Sequence, residues 1–148
     1  SKLITPAALR GEPRVSDTDS LLFANEVFYR AFTDKDMEAM DDLWSRDQPV
    51  SCIHPGWGPL FDRSEVMSSW AAILSAPEAP DIRCFNPTVQ LHGDLGSVIC
   101  FEKLSGGTLV ATNIFTRQGS LWKMIHHQGA PTSANVPAEE SPSGGAMH

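Results

Sequence analysis

An α+β fold, with three helices gathered on one side of a curved antiparallel sheet, is what the sequence predicts, and three observations carry that expectation. In the first half of the chain, apolar residues recur at helical spacing in three segments. After Pro80 the period changes to two, in four β-branched or apolar runs. Those runs are separated only by short turn sequences, so successive strands pair antiparallel and the helices before them pack on one face.

The chain opens with residues 1–16, which contain Pro6, Gly11 and Pro13, show no periodicity and read as an N-terminal arm. In "SDTDSLLFANEVFYRAFTDKD" the residues Leu21, Ala24, Phe28 and Phe32 repeat as one helix face. Ser16 to Asp19 offer caps, and Glu26 with Arg30 makes a favourable pair one turn apart. A second, shorter helix fits "DKDMEAMDDLW", with Asp34 or Asp36 as its cap and Met37, Met40 and Trp44 on one side. It must end before Pro49. The short strand "VSCI" then leads into His54. A third helix begins at Asp62, whose carboxylate caps it while Glu65 completes a capping-box pattern. Its stripe is Val66, Met67, Trp70, Ile73 and Leu74, and Pro77 ends it.

The four strands follow as "TVQLH", "GSVICFEKL", "TLVATNIFT" and "SLWKMIHHQ", joined by "GD", "SGG" and "RQGS". Strict alternation in the last strand, with Lys123 outward, points Trp122, Met124, His126 and Gln128 inward and Ile125 and His127 outward. The folded domain is thus expected over residues 17–133. The remainder, 134–148, is a low-complexity tail rich in Pro, Ser, Gly, Ala and Glu.

Bulk properties narrow the function. A chain of 148 residues is the size of one domain. Its formal net charge of −7, from 11 basic and 18 acidic residues, leaves no clustered Lys and Arg for a nucleic-acid surface. No apolar run approaches the roughly 18 residues of a membrane span, and the N-terminus has no secretory core, so no membrane is expected and the location reads as cytoplasmic. Cys52, Cys84 and Cys100 form no C-x-x-C and sit in apolar, strand-like contexts, where a free cysteine is a small buried hydrophobe. There is no phosphate-binding glycine loop, dinucleotide fingerprint, nucleophile elbow or zinc-protease motif, and no cofactor is expected.

Taken together, "DKDMEAMDDLWSRD", "VSCIHPGW", "VMSSW", "ATNIFTRQG" and "LWKMIHHQGAP", in this order over Ser20 to Ser133, resemble the nuclear transport factor 2-like superfamily and, within it, the SnoaL-like (ketosteroid isomerase-like) proteins. The resemblance implies the NTF2-like or cystatin-like fold: a cone-shaped sheet wrapped round an apolar pocket roofed by the helices, with a homodimer formed through the outer sheet faces. It does not imply one activity. Members include isomerases, dehydratases, cyclases and non-catalytic assembly modules, so function has to be argued from the site.

The steroid isomerases of the superfamily carry an aspartate before a proline at the end of the first strand, and "SCIHPGW" places His54 there, before Pro55. An imidazole with an ordinary pKa near 6.5 suits a general base, although a histidine here can also simply end a strand. Asn113 stands where those enzymes keep a late-strand acid, and its amide can donate to a developing oxyanion. Their helix-one tyrosine aligns with Phe28. Tyr29, one step along the helix, is turned about 100° away and is not expected to replace it. His126 is a second candidate base, facing His54 across the pocket. Because His126 and His127 are adjacent in a strand they cannot share an ion, and no metal site is expected.

Trp57, in the glycine-flanked turn "PGWG", is expected at the pocket mouth. Phe28, Trp70, Phe115 and Gln128 complete the ligand-binding wall. Cys52 and His54 share a strand side, but nothing marks Cys52 as an activated nucleophile. The leading expectation is a pocket for a small, mainly apolar, oxygen-bearing molecule. Two alternatives accompany it: a cofactor-free isomerase, dehydratase or cyclase using His54 or His126 as base, and a non-catalytic dimerisation module.

Overall fold

The computed structural model describes residues 16–136. The expected arm, apart from Ser16, and the expected tail from residue 137 onward lie outside the described residues. Helix α1 runs Asp17–Thr33 and is capped by Ser16, whose side chain accepts from the Asp19 backbone N–H. Its inward face buries Leu21, Ala24, Phe28 and Phe32 as the spacing predicts, but also Asn25 and Tyr29. Lys35, with a left-handed φ of 55°, reverses the chain. Asp36 then caps α2, Met37–Leu43, by accepting from the Ala39 N–H. The strand β1 is only Ser51–Ile53. Asp62 caps α3, Arg63–Ser75, and the cap bond goes to the Ser64 N–H.

Strands β2 (Arg83–His92), β3 (Leu95–Leu104), β4 (Gly107–Gln118) and β5 (Leu121–Pro131) form an antiparallel meander. The full sheet order is β1-β5-β4-β3-β2, and β1 joins it parallel to β5. That one parallel pair departs from an all-antiparallel sheet. The reason is topological, since α3 and three strands separate β1 from β5 and no short turn constrains their sense.

A β-bulge in β5 changes more. The pairing with β4 runs Ile114 to His126 and then Phe115 to Met124, leaving Ile125 as the extra residue. Alternation therefore inverts after Met124. The expected inward positions of His126 and Gln128, and the outward position of His127, are corrected: His127 is buried, His126 is half-buried and Gln128 is exposed.

The three helices pack on the inner sheet face over a core that includes Leu21, Phe28, Met40, Trp44, Trp70 and Phe115. No helix of the described residues is long and apolar enough to cross a membrane.

Candidate functional site

The first strand ends in a tight turn that sets the position of His54. The Trp57 N–H donates to the His54 carbonyl at 2.8 Å, and Gly56 adopts a φ of 83°. Pro55 followed by a glycine at positive φ is the sequence of a type II turn. The chain doubles back so that Leu60 exchanges two backbone bonds with Cys52, each 2.9 Å. His54 is thereby turned into the interior, with 4% of its surface exposed. Trp57 remains 47% exposed and packs edge-on against the His54 ring at 4.8 Å.

Helix α3 supplies the partner of His54. Its Nε2 lies 2.8 Å from Ser69 Oγ, whose own hydrogen goes to the Val66 carbonyl at 2.7 Å. The imidazole is therefore the donor. Burial lowers its pKa to about 4, so it is neutral at physiological pH. Cys52 Sγ is within 3.6 Å of His54, but burial pushes the thiol up to about 12. A thiol in that state is not a nucleophile.

A second set of polar groups lies deeper. His127 Nδ1 is 2.6 Å from Asn113 Oδ1. Asn113 Nδ2 donates to Asn25 Oδ1 at 2.9 Å and to the Tyr29 hydroxyl at 3.1 Å. Tyr29 in turn donates to Glu102 Oε2 at 2.5 Å and lies 3.3 Å from Cys100 Sγ. Five side chains from α1, β3, β4 and β5 thus form one hydrogen-bonded chain. Desolvation raises the Glu102 carboxyl above its usual range, against the opposing effect of the Tyr29 hydrogen bond. His127 is held to about 3, first by burial and then by the neighbouring histidines. Gly129 lies beside the carboxyl, and a Cβ there would stand in tight contact with it, 3.2 Å from Glu102 Oε1.

The space between the two sets is occupied by rings. Phe28 meets Trp70 at 5.4 Å and His127 at 4.8 Å, and Trp70 meets His54 at 4.7 Å and His127 at 5.8 Å between centroids. Three surface clefts lie around them, the second lined in part by Asn25 and Tyr29 and the third by Trp57 and Ser69. One of about 900 Å³ lies between α1, α2 and the β4–β5 turn, one of about 1250 Å³ lies between α1 and β2, and one of about 420 Å³ lies along α3 beside Trp57. None of the three is lined by His54, Asn113 or His127.

Of the residues singled out from the sequence, the fold brings together His54, Asn113, Phe28, Trp70 and Phe115 as buried interior residues, with Trp57 at their rim. His126 and Gln128 are not among them. His126 lies on the outer sheet face, where its Nδ1 meets Ser51 Oγ at 2.7 Å. Sequence reasoning missed Asn25, Tyr29, Ser69, Glu102 and His127. A signal existed for Glu102, which shares the buried two-residue phase of Val98 and Cys100 in β3. Tyr29 reaches the interior despite its offset from Phe28, because the buried face of α1 is wide enough to include both.

Comparisons with known proteins agree with this architecture. The SnoaL-like domain family model matches residues 22–133. A solved structure of a candidate dehydratase of the NTF2-like family from Streptomyces avermitilis is 30% identical, covers 80% of this chain and 97% of its own, and superposes with a TM-score of 0.73. A candidate calcium/calmodulin-dependent protein kinase type II association domain from Thiobacillus denitrificans is 27% identical, covers 74% and 93%, and gives 0.68. Among curated proteins, the F-box protein SKIP8 of Arabidopsis thaliana is 27% identical over an alignment of 116 residues that covers 76% of this chain. The chain spans about half the length of that relative, 50%. With the family model extending from within α1 to just past β5, the chain belongs to the SnoaL-like domain family and has the NTF2-like fold.

Proposed function

We propose that the chain binds a small, mainly apolar, oxygen-bearing molecule between its helices and the inner sheet face, against the polar groups that run from His54 and His127 to Glu102. The observation that carries this reading is the buried hydrogen-bonded chain itself. A domain that only needed a core would be at least as stable with apolar side chains in those places. Costly polar burial with shifted pKa values is characteristic of sites of binding or chemistry. Likeness to a candidate dehydratase supports the same reading. The ligand displaces part of the ring cluster and enters beside Trp57, the half-exposed ring in contact with His54. Native mass spectrometry of the purified protein, followed by thermal-shift titration with apolar alcohols, phenols and ketones, tests it. Binding of at least one class at micromolar to millimolar concentration is expected; no retained ligand and no shift across the panel would remove the reading.

If chemistry follows binding, it is cofactor-free proton transfer, as in an isomerase, dehydratase or cyclase, with neutral His54 as base and Asn113 holding His127 and Tyr29 in position. His126, on the outer face, takes no part. Turnover of enones or β-hydroxy ketones that survives His54→Ala would exclude His54 from that role.

A second reading is favoured by a different observation. The interior is filled by its own side chains, while the outer sheet face carries exposed Leu95 and Ile99 beside half-buried Ile53, Val110 and Ile114. A homodimer built on that face would make the chain an assembly module, a reading that the likeness to an association domain also supports.

A further inference from the structure

We propose that the cleft along α3 beside Trp57 binds a neutral pyranose sugar, with the indole against the C–H face of the sugar ring and Glu65, Ser68 and Ser69 on its hydroxyls. The site stands apart from the interior and does not depend on the reading of a ligand there.

The cleft has a volume of about 420 Å³ and is shaped by two segments of the chain. On one side, Glu65, Ser68, Ser69 and Ala72 recur at helical spacing along α3, next to the core face that carries Val66, Trp70 and Leu74. On the other side stand Trp57 and Leu60, from the turn that follows β1. Serine and alanine are too short to cover an indole, and Trp57 stays 47% exposed. The ring is nonetheless fixed in place. Its backbone N–H donates to the His54 carbonyl at 2.8 Å, and the indole abuts the His54 imidazole at 4.8 Å. The two rings meet at 70°, so His54 does not stack on the indole. The result is a held aromatic ring facing a helix side of small and polar residues, with Leu60 and Ala72 as apolar floor.

The hydrogen-bonding capacity left over defines the ligand. Ser69 Oγ donates to the Val66 carbonyl at 2.7 Å and accepts from His54 Nε2 at 2.8 Å, which leaves one lone pair on an oxygen that lines the cleft. One turn earlier, the Glu65 carboxylate has no partner among the described residues, and neither has the Ser68 hydroxyl, which both donates and accepts. Among the described residues no Lys or Arg lines the cleft. With a bare carboxylate inside and a formal net charge of −7 on the chain, a phosphate or carboxylate ligand is repelled. The complement is an uncharged molecule rich in hydroxyl donors and with one apolar face. A pyranose has both: its ring C–H groups suit the negative face of an indole, while its hydroxyls donate to Glu65 and Ser69 and accept from Ser68. The volume also fits, at the lower end of the range for small-molecule sites of about 300–1,000 Å³.

The test starts from the wild-type protein, labelled with ¹⁵N. Methyl pyranosides of glucose, galactose, mannose and xylose are titrated to millimolar concentration, with glycerol and choline alongside. At least one pyranoside should shift the Trp57 indole N–H and the backbone amides of Glu65, Ser68 and Ser69 saturably, and glycerol, which has hydroxyls but no ring, should not. Trp57→Ala should weaken that binding at least tenfold. Ser68→Leu, at an exposed helix position, fills the cleft without touching the core and should abolish binding in a protein whose other signals are unchanged. No saturable shift with any of the pyranosides, an equal response to glycerol, tighter binding of choline than of every pyranoside, or unchanged affinity in either variant would each overturn the assignment. Interior binding is decided separately by native mass spectrometry and the apolar panel, so either reading can fail while the other stands.

Discussion

At the residue scale, the interior combines groups whose protonation states oppose one another. His54 and His127 fold as neutral rings, with pKa values lowered from 6.5 to about 4 and about 3. Depressed values of this kind contribute stability that is fully present above pH 6.5 and is lost as pH falls toward the folded values. At roughly 1.4 kcal/mol per unit, His54 alone withdraws on the order of 3 kcal/mol by pH 4. Glu102 acts in the other direction, because its carboxyl is raised by burial. Its contribution is present below the ordinary carboxylate range and is lost as pH rises through the raised value, so acidification partly offsets the histidines. Urea unfolding between pH 7 and 4 should therefore show falling stability, and Glu102→Gln, which removes the offset, should make the fall steeper. Tyr29→Phe tests the same network without changing its volume. It leaves the Glu102 carboxyl and an Asn113 N–H short of a partner, and about 1–3 kcal/mol of unfolding free energy should be lost at pH 7. A loss under 0.5 kcal/mol would mean that the two groups re-pair without Tyr29.

At the scale of elements, each interior side chain is placed by a local device. Asp62 caps α3 and so fixes the register at which Ser69 and Trp70 meet His54. Asp62→Ala should cost about 1 kcal/mol in thermal or chemical unfolding and raise hydrogen exchange in the first turn of α3. The caps, the helical stripes and the three turn sequences were legible in the sequence because each is a short-range matter of side-chain chemistry. The buried phase of Glu102 was legible too, at two residues from Cys100 and four from Val98. What could not be read was the inversion at Ile125. A bulge is decided by pairing with β4, many residues away, and Ile125 carries no glycine or other local mark of one. The same holds for the parallel sense of β1, three residues whose partner strand lies at the far end of the domain. Deleting Ile125 would remove the bulge and leave Met124, His126 and His127 in consecutive register with Phe115, Ile114 and Asn113, so that His127 still faces inward. The His127 contacts with Asn113 and Phe28 should then survive, and the variant should unfold cooperatively, whereas inserting one residue after Ile125 would turn His127 outward and should abolish cooperative unfolding.

For the whole molecule, the outer sheet face decides between the two readings of function. Its centre carries Ile99, 42% exposed, paired to Thr112 of β4, with Ile114 and Val110 on the same face. His126 and Ser51 lie beside Ile114 across β5 and β1. Stable interfaces bury about 800 Å² per partner and are apolar at their centre, and a twisted sheet face of this composition suits a second copy related by a two-fold axis. Light scattering at micromolar concentration should then report a particle of about twice the 16.1 kDa chain mass. Ile114→Asp, which places a charge at the centre of that face and touches none of the interior network, should give a folded monomer. The variant separates the readings because binding inside the cone and association through its outer face involve opposite sides of the same sheet. A monomeric Ile114→Asp protein that still retains the ligand would assign the interior to binding and the outer face to assembly alone. Loss of both in a protein that remains folded would show that the two faces are coupled through β4, whose inward Asn113 and outward Ile114 are adjacent residues.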